Sequence, residues 1–274
     1  MHTPANRWQA FLIHLGISLI IFLVLAWVIV KIWYPVPFFQ LDGGWQGIRI
    51  VAGVDLVLGP LLTLIVYKPG KPHLKLDLGI IALLQAAALG WGVWITHYER
   101  PMAIVYTIDH VTPVTAGQLT DHGFDEQSLS TLDSHHPARV YLAMPDDFDA
   151  RQRLLAQSIT TGVPLYLFTD RYRRIDARAK RWMIRESEDL YKAMWSDPEG
   201  RKALEAFFRI RAELPHDYLF IPLHARNGRV VLVLERDSLD YVGIVKLDAT
   251  RFLKQRKPRG LESLQRRTGG GPGI

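Results

Sequence analysis

The chain has 274 residues, with 33 Lys and Arg against 27 Asp and Glu for a net charge of +6, 49% hydrophobic residues and no cysteine. The missing cysteines exclude a thiol nucleophile and a thiolate metal site. A mean hydropathy of +0.05 averages two unlike halves, because the long apolar runs all lie before residue 98.

Three segments, 11–30, 48–67 and 78–96, each have the roughly 20 apolar residues that cross a ~30 Å hydrocarbon core at ~1.5 Å per residue. The first outlasts the ~7–15 apolar residues of a signal peptide and no A-x-A site follows it, so it reads as a retained signal anchor. Trp8, Trp33, Tyr34, Trp45, Tyr67, Trp94 and Tyr98 bracket the spans, where amphipathic rings prefer the headgroup region. Arg7, Lys68, Lys71 and Lys75 flank one side; Lys31, Arg49 and Arg100 flank the other. Three of the first group crowd the loop YKPGKPHLKLD, so the positive-inside rule predicts a cytoplasmic N-terminus and a periplasmic 98–274, the topology of a multi-pass bacterial inner-membrane protein. The domain division is then 1–97, a three-helix transmembrane domain; 98–250, a periplasmic α+β domain with a mixed or antiparallel sheet; and 251–274, a basic, Gly-rich tail.

Within 98–250, the β-branched and aromatic runs 102–108, 139–144 and 164–169 predict strands, with a helix over 146–160 between the second and third. Helices follow over 176–195 and 198–213, split by Ser196-Asp197-Pro198, where Asp caps and Pro suits a first turn. Residues 218–247 predict a three-strand meander whose first turn is Asn227-Gly228. Segment 110–137 has no clear period and reads as a long connection. The domain holds 20 basic against 23 acidic residues, so the positive charge sits in the tail, which has seven basic residues against Glu262. That tail is either solvated or laid on anionic membrane lipid.

Asp147-Phe148-Asp149 has the spacing of a D-x-D metal and nucleotide-sugar site, but Pro145-Asp146-Asp147 also opens a helix, where carboxylates satisfy free N–H groups. His135-His136, with His97, His110 and His122, lack the spacing that converges metal ligands, so no metal or cofactor is expected. RYRRIDARAKRWMIRE (171–186) interleaves Arg with aromatics, yet reads as a solvated helix face, and a periplasmic address argues against nucleic acid. No G-x-S-x-G elbow, phosphate-binding glycine loop or H-E-x-x-H occurs. Asp55 is the outlier, a carboxylate inside an apolar span, where a charge costs at least ~2.5 kcal/mol and calls for a partner. Its expected depth is about 10 Å below the outer end of its span. The small-residue faces Ala52/Gly59 and Gly79/Ala82/Ala86/Gly90 should pack, with Gln85, Trp27 and Trp91 as the donors within reach of Asp55. His14 reads as interfacial.

FLIHLGISL, WYPVPFF and above all GVDLVLGPLLTLIVYKPGKPHLKLDLGIIALLQ resemble the type IV pilin accessory proteins of the TfpX/TfpZ kind over about the first 110 residues. The motif positions are Gly53, Asp55, Gly59, Pro60, Tyr67, Lys68, Pro69, Gly70 and Lys71. The resemblance implies a non-enzymatic inner-membrane factor that assists pilin stability and pilus assembly, with a type IV pilin subunit as partner. A membrane-tethered sensory or binding module fits the same architecture, and a membrane glycosyltransferase resting on Asp147 and Asp149 is the enzyme alternative.

Overall fold

The computed structural model describes residues 6–107, 109–209, 211 and 214–254. The described residues form two compact units: one from 6–105, 112–174 and 225–227, the other from those within 106–111, 175–224 and 228–254.

The first unit contains three helices long and apolar enough to cross a membrane: α1 (Arg7–Trp33), α2 (Gly44–Val66) and α3 (Leu74–Tyr98). All three start four residues before the predicted limits, and α1 and α3 also end later than predicted. In α2 the reason is local, because Trp45, Gln46 and Arg49 lower the hydropathy while the backbone stays helical, with the Arg49 guanidinium 5.3 Å over the Trp45 ring. Asn6 caps α1, accepting from the Gln9 amide at 2.9 Å. Helical bonding widens to π turns at Ile29–Trp33 and Gly53–Leu58. The second lies just before Pro60, which has no N–H to offer the preceding turn. The α2–α3 loop closes on Lys68-Pro69-Gly70-Lys71, with Gly70 at φ +77 and the Lys71 amide on Lys68 O at 3.1 Å. Proline followed by a left-handed glycine is the type II turn signature.

Beyond α3 come β1 (Pro101–Tyr106), β2 (Val111–Thr115), α4 (Ala116–Asp121), α5 (Glu126–Leu132), β3 (Ala138–Leu142), α6 (Phe148–Thr161) and β4 (Tyr172–Arg174). Strand order in this unit is β4-β3-β1-β2. β3 and β4 are antiparallel, with Val140 opposite Arg174. Met102, Val105, Val114, Leu119, Leu129, Val140 and Tyr172 form its core. The strand predicted at 164–169 is instead two single 3₁₀ turns, Leu165–Leu167 and Thr169–Arg171. Its apolar residues are there to fill the core, and a short apolar run does not distinguish the two conformations. Segment 110–137 holds a strand and two capped helices: Thr115 and Gln118 make a capping box on α4, and Asp125 caps α5.

The second unit contains α7 (Ala177–Ser196), α8 (Pro198–Phe208), β5 (Tyr218–Ala225), β6 (Gly228–Glu235), β7 (Tyr241–Val245) and α9 (Thr250–Lys254). The α7 helix buries Met183, Leu190 and Met194, and the last two share one cluster with Leu204, Phe220, Val231 and Val245. Asp197 caps α8 through the Glu199 and Gly200 amides at 3.0 and 2.9 Å. β6 and β7 pair antiparallel, while Val111 pairs in parallel with Leu223, so the strands are mixed in sense. The tail from 255 onward lies outside the described residues.

Candidate functional site

Asp55, Gly59 and Thr63 recur every fourth residue and so share one face of α2. Asp55 is 1% exposed and sits midway along the span, deeper than the expected ~10 Å below its outer end, because α2 starts at Gly44. Gln85 of α3 enters beside Gly59, where a Cβ would lie 2.2 Å from its Oε1, so only glycine leaves room for the amide. Gln85 Nε2 donates to Asp55 Oδ1 at 2.9 Å and approaches Ser18 Oγ at 3.4 Å. On the other side, Gln85 Oε1 lies 2.9 Å from His14 Nε2, and His14 Nδ1 lies 2.6 Å from Thr63 Oγ1. Thr63 in turn donates to Gly59 O at 3.1 Å. One amide thus joins an imidazole from α1 to a carboxylate from α2, and all three spans contribute. Asp55 Oδ2 is buried without a hydrogen-bond partner among the described residues, so the chain of polar groups ends there. The arrangement is a polar staple at membrane depth, where water offers no competing partners.

The expected indole donors take no part: Trp27 and Trp91 are 60% and 66% exposed, with Trp91 against Trp94 instead. Their Cα positions face outward, which depth along a helix does not report. His14, read from the sequence as interfacial, is a central member. Gly79 and Gly90 do not pack on α2; the close approaches are instead Gly47 of α2 against Thr96 of α3, and Gly92 of α3 against Ile50 of α2. Among the remaining motif positions, Gly53 faces open space, Pro60 and Tyr67 are buried, and Lys71 pairs with Asp77 at 2.7 Å.

A second polar cluster in the same unit gathers residues far apart in sequence. The Asn227 amide donates to Leu41 O at 2.9 Å and the Arg226 amide to Asp42 Oδ1 at 3.2 Å, while the Arg226 guanidinium grips Glu99. Tyr34 donates to Thr96 O at 3.0 Å. Burial drives the Tyr34 phenol and the Asp42 carboxyl above their ordinary values.

The other sequence candidates are accounted for locally. Asp147 caps α6 through the Ala150 amide at 2.7 Å, and Asp149 lies in its first turn. His135 bonds Asp133 at 2.8 Å and meets Arg139, and His110 stacks on His224 with centroids 4.2 Å apart. Among the described residues, no group of three His, Cys, Asp or Glu is placed to hold a metal ion. Arg181 and Arg185 lie on the exposed face of α7.

The family described as "Fimbrial assembly protein FimB" matches residues 3–43. The fimbrial assembly protein of serogroups C1 and C2 of Dichelobacter nodosus is 32% identical over 110 residues, which is 39% of this chain and 83% of that protein. This chain belongs to the fimbrial assembly protein family. The serogroup E1 and serogroup I proteins of the same organism also match at 32% over 110 residues, but the match spans only 42% of each. No solved structure matches. The family is thus shared with proteins named for fimbrial assembly.

Proposed function

We propose that this fimbrial assembly protein is a non-catalytic accessory factor of the bacterial inner membrane that holds a type IV pilin subunit until the pilus assembly machinery takes it up. The observation that carries this reading is how the bundle divides its surface. The polar groups at depth turn inward onto Gln85, whereas Gly16, Gly53, Gly79 and Gly90 open outward, with no atom within 4 Å of an added Cβ. Small residues on an apolar exterior let another membrane helix approach closely, and an apolar pilin helix is such a ligand. The Lys68, Lys71 and Lys75 loop supports a cytoplasmic N-terminus, with 98–250 as a periplasmic domain free to meet the pilin head. The helix-start duties of Asp147 and Asp149 support a non-enzymatic role, and the solvated Arg face of α7 gives no reason to invoke nucleic acid. The test is a photoreactive residue placed at Gly79 or Gly90 in cells. Capture of pilin is expected; adducts only with lipid or with the chain itself would refute the holding role.

A further inference from the structure

The last turns of α3 carry a ladder of rings, Trp91 to Trp94 at 5.0 Å and Trp94 to Tyr98 at 5.4 Å between centroids. Trp91 and Trp94 are 66% and 50% exposed, and Trp94, about 13 Å along the helix from Gln85, lies where the headgroup region begins. Tyr98 is fixed, because its hydroxyl donates to Asp121 Oδ1 at 2.6 Å and its ring lies over Gly117, where a Cβ would fall 2.1 Å from it. Between this helix end and α4–α5 opens a cleft of about 470 Å³, walled by Trp94, Tyr98 and Phe124 and carrying Arg100, Asp125 and Glu126. The Arg100 side chain is 13% exposed; Nη1 donates to His97 O at 2.8 Å and Nη2 to Glu126 Oε2 at 3.1 Å. Its Nε–H has no acceptor among the described residues.

We propose that this cleft binds the headgroup of a zwitterionic phospholipid bearing a primary ammonium, of the phosphoethanolamine class. The cleft offers both signs of charge at one depth. Arg100 suits the phosphate, and Glu126 with the aromatic walls suits the ammonium. An anionic headgroup without an amine would meet two carboxylates against one guanidinium. A choline has no N–H to donate to Glu126. The inference rests on the membrane-spanning reading of α3, which has its own test, resistance of the chain to alkaline carbonate extraction.

The full chain, purified in detergent, is offered an equimolar mixture of dioleoyl phosphatidylethanolamine, phosphatidylcholine and phosphatidylglycerol, and retained lipid is counted by native mass spectrometry. Phosphatidylethanolamine should be enriched about three- to tenfold, the range of one partly exposed charge-assisted hydrogen bond. Glu126→Gln, a change at a side chain 59% exposed, should bring its retention level with phosphatidylcholine. Equal retention of the three lipids, preference for phosphatidylglycerol, or an enrichment untouched by Glu126→Gln would overturn the site. So would equal retention accompanied by loss of pilin capture in Glu126→Gln, which would give the cleft to a protein lysine. A chain that carbonate extracts would refute the membrane reading instead.

Discussion

Gly59→Ala tests whether the space beside Gln85 holds the bundle together. The added Cβ would lie 2.2, 2.4 and 2.5 Å from Oε1, Cδ and Nε2 of Gln85, so the amide must swing away. That movement breaks the 2.9 Å bonds to Asp55 and His14 and the weaker 3.4 Å contact with Ser18. Interhelical hydrogen bonds in membranes contribute about 0.6–1.7 kcal/mol each, so the loss is roughly 2–3 kcal/mol. Alanine recovers up to ~1 kcal/mol of helix propensity, leaving a net destabilisation of about 1–2 kcal/mol. Gly79→Ala is the control, since its Cβ meets nothing within 4 Å and retains only the propensity gain. Equilibrium unfolding of the purified chain in lipid nanodiscs should separate the two variants by about 2–3 kcal/mol. Equal stabilities would show that the amide's position does not matter and would refute the staple.

Asp42→Asn should stabilise the chain at neutral pH. Burial is the largest influence on Asp42 and raises its carboxyl, although the Arg226 amide and charge pull the other way. Between the ordinary carboxylate value of about 4 and that raised value, the folded chain binds more protons than the unfolded one, so stability falls as pH rises through the window. Asparagine keeps an oxygen for the Arg226 amide, so its melting temperature should exceed the parent's at pH 7 and converge with it in acid; a lower value at pH 7 would mean the charge itself is stabilising. Asp147→Ala should cost about 1 kcal/mol of thermal stability by uncapping α6, while Asp149→Asn should leave pilus number unchanged. Loss of piliation in a folded Asp149→Asn chain would revive an enzymatic role. A reporter fluorescent only in the cytoplasm, fused after Ile274, should stay dark; a bright fusion would reverse the topology.

The three spans were legible because a bilayer core demands a continuous apolar run of its own thickness, which the helices of water-soluble domains, polar on one face, do not carry. The Lys68–Lys71 turn and the Asp147 and Asp197 caps follow from local chemistry. The helix ends were less legible, since Gln46 and Arg49 depress hydropathy without breaking a helix. Gln85 could be placed near Asp55 by depth alone, but the rotation of each helix decides which donors face inward. That is why Trp27 and Trp91 were candidates and His14 was not. The i, i+4 pairs His14/Ser18 and Gly59/Thr63 carried the missing signal: polar or side-chain-free positions stacked on one face. β2 was hidden by Pro113, a residue that argues against a strand interior, although the Thr115/Gln118 capping box marked the helix after it. The contact of Arg226 and Asn227 with Leu41 and Asp42 joins residues more than 180 apart, and no local pattern encodes it.

Whether Asp55 orders the bundle that serves pilus assembly is tested most directly by pilus number, measured alongside abundance of the chain, in Asp55→Asn and Asp55→Leu cells. Asparagine preserves an oxygen for Gln85, so both quantities should hold near the parent's. Leucine leaves the Gln85 amide without its acceptor, so the chain should become scarce and piliation fall with it. Abundant Asp55→Asn protein in cells without pili would contradict the ordering role and give the carboxylate a direct part in assembly.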